Sequence, residues 1–187
     1  MKNILILLTT IITLYSFKRL ESEDKVAWKN SQTLTWQNFK AQADNASKLA
    51  ALSTCKISTK NNVRDDSDSI EFIIESYFVS NESWVKSSEK NDYLLKHEQG
   101  HFDLNEIYAR QIRKELTKTK FTLGTLNLVF KDIVKKYFNQ LNAVQELYDS
   151  ETKHSKDKKK QEEWNIKIST QLKELNLYSP SIIVVPY

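Results

Sequence analysis

The chain has 187 residues, 28 Lys and Arg against 24 Asp and Glu, and a net charge of +4. That charge is modest and mixed in sign. The one basic run, Lys156-Asp157-Lys158-Lys159-Lys160 beside Glu162-Glu163, has no interleaved aromatics and reads as a solvated helix start, so nucleic acid is not an expected partner. With 40% hydrophobic residues the chain can build one ordinary core; a single cysteine, Cys55, excludes an intrachain disulfide, and two Gly with two Pro argue against a sandwich of many short strands.

Met1-Lys2-Asn3 is a short positive start, followed by the apolar run Ile4 to Tyr15. The run is too short for a membrane-spanning helix and has the size of a signal-peptide core. Residues 1–17 are therefore expected to be a signal peptide and the mature protein secreted or periplasmic, with no membrane contact after its removal. No cysteine follows the run, so no lipid anchor is expected. Residues 18–31 read as a polar lead-in, and one domain is expected over 32–187.

That domain opens near Leu34-Thr35-Trp36 with a short helix through Phe39. Strands are expected over 49–58 and 69–80, joined by the Asn- and Asp-rich turn 61–68. In the second strand Ile70, Phe72, Ile74 and Ser76 alternate with Glu71, Ile73, Glu75 and Tyr77, which gives it one apolar face. Ser83 to Val85 reads as a further short strand or a helix approach. After Asn91-Asp92 a helix is expected to about Leu116, with Leu94, His97, His101, Leu104 and Tyr108 on one stripe. A second helix, from about Thr125 to Asp149, carries Phe130, Ile133, Tyr137, Leu141, Val144 and Tyr148 on its stripe. A third is expected from about Lys158 to Leu175, and Ile182 to Val185 reads as a last strand. The order implies an α+β fold.

Within the first helix lies His97-Glu98-Gln99-Gly100-His101, an HExxH pattern holding two of only three histidines in the chain. On a helix, i and i+4 differ by about 40° in azimuth and about 6 Å in rise, so both imidazoles can reach one zinc ion. Both fall on the inward stripe, where unpartnered imidazoles and a carboxylate would be costly and a metal supplies the partner. Gly100 is a mid-helix glycine, which suggests a close approach by a substrate or a neighbouring element. A catalytic zinc takes three protein ligands. The extended metzincin spacing is excluded by Leu104 and Ile107, and Glu106 points away from His101 around the helix. The segment Tyr148 to His154 remains, where spacing alone reads His154 equally as a ligand or as a solvated loop histidine, and Glu151 is the competing candidate.

The stretch Leu94 to Asp103, continued by Glu106-Ile107-Tyr108-Ala109-Arg110, resembles a bacterial domain-of-unknown-function family described as secreted zinc-dependent proteases. Leu34-Thr35-Trp36, Phe39, Ala50-Ala51, Tyr148-Asp149, Thr152, His154, Gln161 and Trp164 extend the resemblance over most of the mature chain. Ser155 departs from it, standing where the family usually has glycine. The resemblance implies a zincin-like fold, a small antiparallel or mixed sheet packed on the long HExxH helix and two further helices. It implies His97 and His101 as zinc ligands and Glu98 as catalytic acid/base, and it favours His154 as the third ligand.

The expected reaction is zinc-dependent hydrolysis of a peptide or protein substrate. Tyr148 is the candidate oxyanion donor, with Tyr108 second, and Asp149 is expected to orient a ligand histidine. By analogy, substrate would lie along a sheet edge at 76–80 or 83–85. The rival reading is a non-catalytic exported module with structural zinc, which one cysteine serves poorly.

Overall fold

The computed structural model describes residues 25–187 except 31 and 65. The expected signal peptide lies outside the described residues. Those residues form six strands and three long helices, an α+β arrangement as expected.

The sheet is built on β4, Ser69–Val79, whose apolar face is the one the alternation marks: Ile70, Phe72 and Ile74 are fully buried and Glu75 is exposed. Along one edge β4 pairs antiparallel with β3, Cys55–Arg64. Its other edge is shared by β1, Lys25–Ala27, and β6, Ile182–Pro186. The pairing is antiparallel throughout rather than mixed. Both edges of β4 are covered, so residues 76–79 are not an open edge for substrate.

Two boundaries differ from the expectation. The lead-in is not wholly outside the domain, because Val26 and Trp28 pack on the core and Trp28 Nε1 donates to Asp103 at 2.8 Å. The expected strand over 49–58 is two. β2, Ala51–Leu52, pairs with β5, Trp84–Val85, and ends where the Thr54 amide donates to the Ser83 hydroxyl. β3 then runs on through Asn61 and Asn62, leaving a turn of four residues. Asn and Asp are poor strand formers, but on a half-exposed outer strand their side chains stay in water.

Helix α1, Asp92–Lys118, starts where Asn91 caps it by accepting from the Leu94 amide at 2.9 Å. α2 spans Leu126–Thr152, and α3 spans Lys158–Glu174 with Asp157 accepting from the Lys160 amide. α1 is the spine of the molecule. Ala109, Ile112 and Leu116 pack on the sheet, Leu94 and Phe102 pack on the 34–39 segment and Phe78, and Leu104 and Ile107 pack on Tyr148 and Trp164. Glu106, excluded as a ligand, instead accepts from Arg110 and Arg113 in a fully buried cluster. Among the described residues, no helix is long and apolar enough to cross a membrane.

Candidate metal centre

The middle of the HExxH turn is anchored before any chemistry is considered. The Gln99 Oε1 accepts from the Leu34 amide at 2.7 Å, and its Nε2 donates to Asp103 at 2.7 Å. The Leu34-Thr35-Trp36 stretch is thereby tied to the helix that carries the histidines. Gly100 has an equally plain cause. A Cβ there would collide with the Tyr148 hydroxyl and stand 2.8 Å from its ring carbon Cζ. The close approach is made by a neighbouring helix, not by substrate.

His97 and Glu98 are almost wholly buried, at 2% and 3% exposure. The Nε2 atoms of His97 and His101 face one oxygen, Asp149 Oδ1, at 3.2 and 3.0 Å. Nitrogen and oxygen atoms of His97, His101 and Asp149 lie within 4.8 Å of one another, close enough to hold one metal ion. Two imidazoles and a carboxylate suit zinc, which accepts both donor types.

Asp149 therefore stands in the cluster itself, where the sequence reading put it behind a ligand. His154 does not join that cluster. Its Nδ1 approaches Asp149 Oδ1 at 3.4 Å, and its side chain is 53% exposed. It is held there by an unusual turn in which Lys153, His154 and Ser155 all have positive φ, of 51°, 50° and 72°. Left-handed backbone is disfavoured for residues with a Cβ, and three in succession fold the chain back so that the His154 amide donates to Asp149 O at 2.9 Å. Glu151, the other candidate, points elsewhere and accepts from Trp164 Nε1 at 2.7 Å.

Tyr148 is also not where its expected role requires. It is fully buried, stacked on His97 with ring centroids 4.7 Å apart, and its hydroxyl donates to the His97 carbonyl at 3.1 Å. Burial pushes its pKa well above the usual phenol range. Its place on the apolar stripe of α2 turned it inward. Tyr108 packs in the core between α1 and its neighbours.

Two glutamines complete the arrangement. Gln145 Oε1 lies 2.6 Å from His101 Nδ1, and Gln161 Oε1 lies 2.8 Å from His97 Nδ1. Gln145 had no marker in the sequence beyond its i, i+4 spacing to Asp149, and Gln161 only its place in the resemblance.

The charges in the cluster reinforce one another. Burial alone would lower the His101 pKa, but the hydrogen bond to Asp149 and the negative charges of Glu98 and Asp149 outweigh it and raise it. For Asp149 burial pulls upward, yet its hydrogen bonds with His101 and His97 hold the carboxyl far below the usual range. The cluster opens on a cleft of about 360 Å³. His97, Glu98, His101, Asp149 and His154 line one side, and Leu49 to Cys55 line the other.

Residues 80–155 match the model of a family described as a bacterial protein of unknown function (DUF922). The match covers the whole of α1, the cluster and the turn at His154. No curated protein and no solved structure matches the chain.

Proposed function

We propose that the protein is a zinc-dependent peptidase, and that its metal is held by His97, His101 and Asp149. The observation that carries this reading is the convergence of the two Nε2 atoms and a carboxylate oxygen at one point of an open cleft, with Glu98 beside them. Three ligands and an open side fit a catalytic site better than a structural one, which is closed by four. Zinc supplies Lewis acidity there, polarising a carbonyl and making water more acidic.

The residues divide the remaining work. Glu98 lines the cleft on a rigid helix and takes the proton of the attacking water, then delivers it to the leaving amine. Its low exposure keeps the carboxylate oriented and short of competing water. His154, half exposed on the cleft wall, replaces Tyr148 as the donor that meets the developing oxyanion. The Leu49 to Cys55 wall is the surface against which an extended substrate would lie. An analogy to zincins supports that placement, since β2 borders the cleft and β4 is enclosed. The apolar run Ile4 to Tyr15 supports export, so the substrate is a peptide or protein outside the cytoplasm.

The test is incubation of the zinc-loaded chain with a reduced, carboxymethylated protein. Cleavage that stops on chelation and returns with zinc is expected. A chain that binds zinc and leaves every unfolded protein and peptide intact would contradict the proposal.

A further inference from the structure

The two glutamines do more than sit near the histidines, because each presents its amide oxygen to a ring Nδ1. A backbone carbonyl can only accept. The His97 carbonyl lies 3.1 Å from the Tyr148 hydroxyl, which donates its single proton to it. The Tyr148 oxygen is then left to accept, and it accepts from Gln161 Nε2 at 2.6 Å. The other Nε2 proton goes to Asn165 Oδ1 at 3.0 Å. With both amide protons committed, the end of Gln161 that faces His97 Nδ1 is its carbonyl oxygen. His97 Nδ1 is then the donor of that bond.

The same logic closes more briefly at the second histidine. Gln145 Nε2 donates to the His101 carbonyl at 3.0 Å, so the oxygen of that amide faces His101 Nδ1 at 2.6 Å. Turning the Gln145 amide over would set its oxygen against the His101 carbonyl oxygen. Both circuits start from the carbonyl of the histidine's own residue and return to its ring, so each glutamine ties a ring to the backbone of α1.

We infer that Gln145 and Gln161 are positioning residues that accept from Nδ1 of His101 and His97 and so hold both Nε2 atoms towards Asp149 Oδ1, where a metal would sit. Without a metal, Nε2 protons bridge to that oxygen at 3.0 and 3.2 Å, and a metal ion would take their place. Amides do this without charge, in contrast to a carboxylate partner, so the site's charge balance stays with Asp149 and Glu98. Gln161 comes from α3 and Gln145 from α2, so docking of both helices on α1 completes the locked site.

The Nδ1 bonds are read in the full chain, labelled with 15N at histidine, with and without zinc. Long-range proton–nitrogen correlation is expected to show hydrogen on Nδ1 of His97 and His101 in both states, and an Nδ1 without hydrogen at either ring would overturn the inference. Zinc titration supplies the second readout. Gln161→Met removes the acceptor and is expected to weaken zinc binding by about 10- to 100-fold, whereas Gln161→Glu restores an acceptor and recovers most of the loss. Gln145→Met gives the same loss through His101 and serves if Gln161→Met does not fold. A folded Gln145→Met or Gln161→Met chain that binds zinc as tightly as wild type would also overturn the inference. Its second arm rests on the zinc reading of the cluster. A wild-type chain that binds no zinc contradicts the proposed function, while the Nδ1 hydrogens in the metal-free spectrum still decide the role of the glutamines.

Discussion

At the scale of single residues, the centre depends on three backbone and packing choices as much as on its ligands. Gly100 admits the Tyr148 ring, and that ring stacks on His97. Gly100→Ala gains up to about 1 kcal/mol of helix propensity but forces an overpacked contact worth about 1–3 kcal/mol. A net fall in Tm of a few degrees is expected, with weaker zinc binding as His97 is displaced, and thermal melting with and without zinc measures both. Ser155 sits at φ 72°, where glycine is at ease. Ser155→Gly is expected to raise stability by about 0.5–1 kcal/mol, seen as a Tm rise of about 1–4 °C. The ligand assignment has its own contrast. Asp149→Ala is expected to lose stoichiometric zinc, while His154→Ala keeps zinc and loses turnover; metal analysis of the two variants decides it. Retained zinc in Asp149→Ala, or lost zinc in His154→Ala, would return the third ligand to His154.

At the scale of elements, the helices were the legible part of the sequence, because hydrophobic residues recurring at helical spacing mark a buried stripe whatever surrounds it. The Asn91 cap and the inward direction of His97 follow from the same pattern. That pattern also shows Tyr148 facing inward, which conflicts with a role at an oxyanion. Asp149 was legible only as a residue behind a ligand, and Gln145 and Gln161 were not legible as site residues. Single polar residues on two different helices acquire meaning only once docking brings them within 3.2 Å of the histidines. The split of the first strand and the enlistment of Lys25–Ala27 likewise depend on the edge of β4, which no local pattern encodes. What aligns α1 with the sheet is Arg113, which donates to the carbonyls of Ile74 and Tyr178 and to Glu106. Arg113→Ala strands these acceptors in the interior and is expected to cost about 3–5 kcal/mol, measurable by denaturant unfolding.

At the scale of the whole molecule, the proposed metal site is also a cluster of charges with a defined pH response. In the metal-free chain His101 has a raised pKa, so its contribution is fully present below the unfolded value near 6.5 and is lost as pH rises through the folded one. Asp149, with its lowered pKa, contributes above the unfolded carboxyl value near 4 and loses that contribution only at lower pH. Zinc competes with the His101 proton, so its affinity should rise by up to about tenfold per pH unit for each proton displaced. The Tm increase produced by zinc is therefore expected to be larger at pH 8 than at pH 6, and calorimetry at the two values checks the sign. The claim that joins fold to function is that α1 presents Glu98 as the base at a zinc site framed by α2. Its most direct test is Glu98→Gln, assayed together for zinc content and for cleavage of a carboxymethylated protein. The account predicts one zinc per chain, an unchanged Tm within about 2 °C, and a loss of cleavage of at least about 100-fold. Cleavage at the wild-type rate in a zinc-loaded Glu98→Gln chain would contradict it.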